Sequence, residues 1–179
     1  MEVKPLIKKI VIIALTIVVA YLLQTSVFSN LQLANVTPNI LIIVTSAFGF
    51  MRGRKDGMFV GFFCGLLLDL NSGTLFGLYA LIYLLIGYLN GLFEKLFYGD
   101  DIKLPIVLIA VSDFAYSVVI YIIFFLVKGK FDILFYFTSV MLPELVYTVL
   151  VSIALYFILY RLNIFIDKQP DKRRRSNFV

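Results

Sequence analysis

The sequence predicts an all-α integral membrane protein with six transmembrane helices, and three observations favour that fold class. The 179 residues are 61% hydrophobic and only 15% charged, with a mean hydropathy of +0.99. A soluble domain is typically about 45–50% apolar and about 25% charged. The apolar residues form six runs, and most charged residues lie between these runs or near the chain ends. At about 20 residues per span, the length allows six helices with short loops.

We predict one membrane domain over residues 1–167, followed by a basic tail at 168–179. The spans are predicted at 7–28, 39–51, 57–70, 74–93, 104–127 and 137–160. Lysines precede the first run, as they do in a signal peptide. The run is long for a signal peptide and lacks the small-residue cleavage pattern, so we expect it to stay as a helix.

The second and third runs are short and are joined by a charged turn. Pro38 opens the second run, because a missing N–H costs nothing in the first turn of a helix. Each run covers about 20 Å, against about 30 Å of hydrocarbon. A re-entrant loop would bring Arg52, Arg54 and Lys55 near the bilayer centre, at a total cost of about 10 kcal/mol. We therefore predict two short spans in a locally thin or protein-lined region.

Residues 57–77 contain small residues at a regular spacing. An interval of four separates each of Gly57, Gly61, Gly65, Asp69, Gly73 and Gly77 from the next. Positions four apart share one helical ridge, and a glycine ridge lets another helix approach closely, which matters most in lipid. A turn is indicated at Asn71, Ser72 and Gly73, so one helix should end near 70 and another begin near 74. We expect this face to pack against another helix of the chain or against a partner.

The last three runs add further candidates. Gly87 and Gly91 form a second pair of small residues and are also helix-packing or partner-binding candidates. Asp113 lies within the fifth run, and Glu144 follows Pro143 in the last run. Residues 131–136 fit a short interfacial segment ahead of the last span.

The distribution of Lys and Arg predicts that both chain ends are cytoplasmic, because positive charge accumulates on that side of a membrane. With this orientation the outer side carries only Lys128 and Lys130. The inner side carries Lys4, Lys8, Lys9, Arg52, Arg54, Lys55, Lys95, Lys103, Arg161, Lys168, Lys172, Arg173, Arg174 and Arg175. The tail residues Lys172, Arg173, Arg174 and Arg175 should contact anionic lipids, or alternatively a cytoplasmic partner.

Three carboxylates lie in or near the apolar runs without a Lys or Arg in the same run, so each must be protonated, hydrogen-bonded or facing water. Asp113 lies deepest, and we expect it to make a buried interhelical hydrogen bond or a partner contact. The orientation places an outer polar set near the outer face, consisting of Gln24, Thr25, Ser26, Asn39, Asp69 and Glu144. This set either lines a cavity open to the outside or, as for Asp69 and Asn71, caps a helix–turn–helix. Glu144 has either such a functional role or a local structural role beside the proline.

The residue types argue against an enzyme, and no cofactor or metal is expected. The chain has no His, which excludes a His-ligated metal site and a His general base. Its single cysteine, Cys64, cannot form an internal disulfide. No nucleophile triad, metal-ligand spacing or phosphate-binding loop is present. The net charge of +5 comes from loops and tails, where topology accounts for it, and does not indicate nucleic acid.

The order LQTSVF, TPNILIIVTSAFGF and GRKDGMFVGFFCGLLLDLNSGTLFGLYALIYLLIGYLNG resembles the bacterial rod shape-determining protein MreD family. The resemblance is good over about residues 15–91 and rests elsewhere on length, hydrophobicity and the pair Pro143 and Glu144. The family motif falls on Gln24, Pro38, Asn39, Gly61, Gly65, Asp69, Gly73 and Gly77. These positions are candidates for fold or partner contacts.

The resemblance implies a non-enzymatic, multi-pass protein of the bacterial inner membrane that serves the cell-elongation machinery. Proteins of this family work with MreC, a single-span protein, with the MreB filament, and with the polymerase and transpeptidase of sidewall peptidoglycan. The family is also similar in fold to the substrate-binding subunits of vitamin transporters. Two functions therefore remain open, a scaffold that binds an MreC-like partner and a small-molecule binding subunit of an importer.

Overall fold

The computed structural model describes residues 3–32, 35–72, 76–96, 102–126 and 133–167, and within them the chain is helical and has no β-strand. The predicted all-α class is confirmed. The first four helices are α1 (Val3–Leu22, extended by a π-helical turn at Leu23–Val27), α2 (Ile40–Arg52), α3 (Arg54–Ser72) and α4 (Leu78–Gly91). A 3₁₀ turn at Glu94–Leu96 precedes α5 (Lys103–Tyr121, extended by a π-helical turn at Ile122–Leu126). Helix α6 runs without a break through Ile133–Tyr136, a π-helical turn at Phe137–Met141, and Leu142–Asp167.

Helix α2 forms the centre of the bundle. Every residue from Ile40 to Met51 is buried, and α2 packs against each of the other five helices. A helix that is apolar all round is typical of a protein core or of a membrane span. Its 13 residues span about 20 Å. Helix α2 is thus shorter than α1, α3, α5 and α6, and we call its two ends the Asn39 end and the Arg52 end.

A single residue, Gly53, separates α2 from α3. Its φ is +87°, which L side chains rarely adopt, and its N–H donates to the carbonyl of Gly49 at 2.8 Å. Helix α3 begins at Arg54, earlier than the Gly57 expected from the sequence. The reason lies in its first turn, where Asp56 accepts from Arg52 at 2.9 Å and favours the helix N-terminus electrostatically.

Among the described residues, three helices are long and apolar enough to cross a membrane, at Ile7–Val27, Lys103–Phe124 and Ile133–Ile166. Helices α2 and α4 are apolar but shorter. The last helix extends beyond the expected bounds of 137–160 at both ends, and its first turns include most of the segment expected to lie at the interface. The π-helical turn allows this continuity, because it accommodates the missing N–H of Pro143 just after it.

Candidate functional site

The glycines of α3 lie against the backbone of α4. A side chain at Gly61 would place its Cβ 2.7 Å from the carbonyl carbon of Tyr83, closer than real Cβ contacts. A Cβ at Gly65 would come 2.5 Å from the Cα of Ala80. Both positions therefore have to be glycine if α3 and α4 are to pack backbone to backbone. Small residues allow the same close approach between membrane helices.

A three-helix contact forms where α2, α3 and α4 meet. A Cβ at Gly57 would come 2.7 Å from the Cα of Gly49, and Gly87 packs on the carbonyl of Gly57. Gly91 packs on the backbone of Arg54. Gly49 was not among the residues predicted to pack. Its signal was present, since it lies four residues before Gly53.

Gly77 has a different role from the packing glycines. Its φ is +94°, and a Cβ there would meet nothing within 4 Å. Gly77 therefore supplies the left-handed conformation that leads into α4 and makes no packing contact. Gly73 and the tail residues Lys172, Arg173, Arg174 and Arg175 lie outside the described residues.

Asp69 caps the N-terminus of α4 from the neighbouring helix α3. The side chain is buried, with 3% exposure, and its two carboxylate oxygens accept from the backbone N–H groups of Tyr79 at 3.0 Å and Ala80 at 2.9 Å. The first N–H groups of a helix have no partner within it, and they carry partial positive charge. Of the two roles considered for Asp69, the geometry shows the capping role.

Side chains from several helices cap the buried N-terminus of α2. Asn39 accepts through Oδ1 from the N–H of Ile42 at 3.4 Å, and Gln24 accepts through Oε1 from the N–H of Leu41 at 3.0 Å. Thr148 accepts from the N–H of Asn39 at 3.0 Å. Burying a helix end costs free energy unless such groups are satisfied, so these three side chains make the interior start of α2 possible.

Two members of the predicted outer polar set lie away from this site. Thr25 donates to the carbonyl of Tyr21 in its own helix at 2.8 Å. Ser26 is exposed on the π-helical turn that follows α1. Thr25 thus bonds within its own helix and Ser26 lies at the surface, so the set is not one continuous lining.

Asp113 lies beside Asn39 and has almost no exposure, 1%. Its carboxyl group faces the side chains of Asn39 and Thr148. Neither carboxyl oxygen has a hydrogen bond of good geometry to any of the described residues. Glu144 lies close enough to interact electrostatically with Asp113, and its carboxyl group faces Ser117. The structure thus brings together two carboxyl groups that the sequence placed on different helices.

Tyrosines from three helices lie near these carboxyl groups. Tyr83 donates to Oδ1 of Asn39 at 2.7 Å, and its ring meets that of Tyr116 edge to face with centroids 5.6 Å apart. The ring centroids of Tyr116 and Tyr79 are 6.4 Å apart. Tyr136 interacts electrostatically with Glu144. We call the whole group the Asp113 cluster; it consists of Asn39, Tyr79, Tyr83, Asp113, Tyr116, Ser117, Tyr136, Glu144 and Thr148.

The tyrosines were not among the predicted site residues. Tyr79 and Tyr83 are four apart on α4, and Tyr116 is three residues after Asp113 on α5. Residues at these spacings share a helix face, so the sequence did contain the signal. What it did not contain is which faces of α4, α5 and α6 meet.

An ionic network joins α1, α3 and α6 at the Arg52 end. Lys9 pairs with Asp56 at 2.6 Å, and Arg52 donates to the same Asp56 oxygen at 2.9 Å. Arg52 also donates to Oδ1 of Asn163 at 2.6 Å. Lys8 lies over the ring of Phe165, 5.1 Å from its centroid. These contacts hold the helix ends together and offer no reactive group.

The geometry defines a helical membrane-type bundle whose polar residues cap and tie helices. No group of three or more His, Cys, Asp or Glu that could hold a metal ion occurs in the part of the chain that the structure describes. The model of the family described as rod shape-determining protein MreD matches residues 5–165. The chain therefore belongs to the MreD family, whose role is in rod shape determination. Comparisons with curated proteins and with solved structures give no match.

Proposed function

We propose that this protein is a non-enzymatic scaffold of the bacterial cell-elongation machinery that binds an MreC-like single-span protein and so helps control sidewall peptidoglycan synthesis. Family membership over residues 5–165 is the observation that carries the proposal. In this role the chain spans the inner membrane several times with both ends cytoplasmic, as its Lys and Arg distribution indicates. The MreB filament and the wall polymerase and transpeptidase are the further partners.

The partner helix must use a surface other than the glycine face, because α4 already occupies that face. Helix α3 has an exposed aromatic patch on its other side, formed by Phe59, Phe62 and Phe63. The ring centroids of Phe59 and Phe63 are 4.9 Å apart, and those of Phe62 and Phe63 are 5.6 Å apart. Aromatic residues are enriched in protein interfaces, since they bury a large area with few rotatable bonds. We therefore place the partner contact on this aromatic patch.

Co-purification in mild detergent from native membranes tests the scaffold role. The wild-type protein should recover a single-span wall-elongation protein, and the double variant Phe59→Ala, Phe63→Ala should recover much less. The matched control is Leu15→Ala with Val18→Ala, which truncates exposed apolar residues of α1. Well-folded wild-type protein that recovers no such partner would refute the scaffold role. Equal loss from both double variants would refute only the placement on α3.

A second candidate function is a small-molecule binding subunit of an importer, and the Asp113 cluster is the observation that favours it. Ligand sites are lined by aromatic and apolar side chains with a few convergent polar groups, and the cluster combines tyrosine rings with such groups. This function requires a transporter energising module in the same co-purification. Recovery of that module in place of a wall protein would favour the importer, and its absence would count against it.

A further inference from the structure

The two carboxyl groups of the Asp113 cluster lie in a part of the protein without positive side chains. The stretches 39–51, 78–91, 104–127 and 133–160, which form the cluster, contain no Lys or Arg. Asp113 is 1% exposed, and both of its oxygens lack a hydrogen bond of good geometry to the described residues. An unpaired buried carboxylate is costly, so such a group is either protonated or found with a compensating partner.

The nearby helix N-terminus cannot supply that compensation through hydrogen bonds. The backbone N–H of Asn39 donates to Thr148, that of Ile40 to the carbonyl of Pro38, and that of Leu41 to Gln24. The N–H of Ile42 donates to the Asn39 side chain. Every N–H group in the first turn of α2 is therefore already used. A helix N-terminus that binds an anion does so through free N–H groups.

The cluster reaches the protein surface on its tyrosine side. Asn39, Tyr83, Asp113, Ser117 and Thr148 are buried and form its floor. Tyr79, Tyr116, Tyr136 and Glu144 are partly exposed and form its mouth. Between α4 and α5 the ring of Tyr116 meets those of Tyr79 and Tyr83, with centroids 6.4 Å and 5.6 Å apart. A small group that reaches the two carboxyl groups therefore has to pass these tyrosine rings.

We propose that the Asp113 cluster binds the ammonium group of a small organic cation. The two carboxyl groups attract the positive charge, and the hydroxyl oxygens of Ser117 and Thr148 are able to accept hydrogen bonds from the ammonium N–H groups. Tyrosine faces attract ammonium groups through cation–π interactions, and aromatic cages recognise such ligands in other proteins. A hard metal ion prefers six or more oxygen ligands in fixed positions, which suits this aromatic lining less well.

The ammonium group has two possible sources, a free amine or the headgroup of an aminolipid that enters between α4 and α5. The inference does not depend on the scaffold role. If the protein is an importer subunit, the inference rests on the ligand site of that proposed function and names the class of its ligand. Binding is measured on the purified protein alone, so its outcome is separate from which partner is recovered.

Thermal unfolding of the detergent-purified protein tests the inference. The probes are methylammonium, ethanolamine and choline chlorides, with sodium and potassium chloride at matched ionic strength as references. At a hundredfold excess over Kd we expect a rise of about 5 °C or more in the unfolding midpoint with at least one amine. In parallel, short-chain phosphatidylethanolamine is compared with phosphatidylglycerol. A shift with phosphatidylethanolamine alone would identify a lipid headgroup, and a shift with the soluble amines would identify a free amine.

Five variants locate the site. Asp113→Asn and Glu144→Gln should each weaken binding about tenfold or more, whereas Asp56→Asn, at the Arg52 end, should bind as the wild type does. Tyr136→Leu should weaken binding and Tyr136→Phe should preserve it, which keeps the test decisive if a carboxyl variant fails to fold. Equal shifts with sodium or potassium would overturn the proposal. So would the absence of any shift, or wild-type affinity in Asp113→Asn and Glu144→Gln.

Discussion

The carboxylate of Asp69 accepts a hydrogen bond from the backbone N–H of Tyr79 at 3.0 Å, and so joins the end of α3 to the start of α4. Its other oxygen accepts from Ala80 at 2.9 Å. A helix cap normally comes from the residue just before the helix. Here that position is occupied by Gly77, which makes no side-chain cap. The cap from α3 thus fixes the register of the hairpin in which the glycines pack.

The Asp69→Asn variant should lower stability by about 1–3 kcal/mol. An amide offers one oxygen in place of two, and its NH₂ group faces an N–H donor, so one buried N–H loses its partner. Thermal unfolding in detergent checks this expectation. The control is Asn71→Ala, an exposed residue at the same end of α3, which should change stability by less than about 0.5 kcal/mol. Equal stability of Asp69→Asn and the wild type would contradict the capping role.

The Gly61→Leu variant should lose most of its folded yield. The added side chain would overlap the Tyr83 carbonyl, and relief of this overlap requires α3 and α4 to separate along their length. Overpacking of side chains typically costs about 1–3 kcal/mol, and an overlap with backbone costs more because the backbone cannot change rotamer.

The yield of monodisperse protein after size-exclusion chromatography measures this effect. Phe62→Leu is the control, since Phe62 lies on the exposed side of the same helix. Normal yield and function of Gly61→Leu would mean that this glycine face does not pack against α4.

Helix periodicity alone places Gly57, Gly61 and Gly65 on one ridge, so the spacing rules predicted that these glycines form a helix-packing face. They also predicted a turn between α3 and α4. They did not show which helix fills the groove, since α4 and a partner helix satisfy the same pattern. Asp69 could be given a capping role from its position beside a turn. Asp113 and Glu144 could be recognised as costly residues, but their proximity depends on how α5 and α6 cross, which no local pattern encodes.

The Arg52→Met variant should destabilise the Arg52 end by about 1–3 kcal/mol. Arg52 donates to Asp56 and to the buried Asn163, so its loss leaves a buried amide oxygen without this donor. Hydrogen exchange should rise in the last turns of α6 and the first turns of α1, while the glycine hairpin keeps its protection. Lys55→Met is the control, as Lys55 is exposed and close in sequence. If hydrogen exchange at the ends of α1 and α6 is the same in Arg52→Met and Lys55→Met, Arg52 does not tie these helices together.

The Tyr83→Phe variant should cost about 1 kcal/mol, because its hydroxyl donates to Oδ1 of the buried Asn39 at 2.7 Å. Asn39→Ala should cost more, since that side chain also caps Ile42. A double-mutant cycle separates the shared contact from these other losses. If the two residues interact as the geometry shows, the double variant should be about 0.5–1.5 kcal/mol more stable than the sum of the single effects predicts. The matched cycle pairs Tyr83→Phe with Thr16→Ala on α1, whose hydroxyl bonds only within its own helix. Additivity in the first cycle would mean that α2 and α4 are not joined through this hydrogen bond, and that the start of α2 is held by α1 and α6 alone.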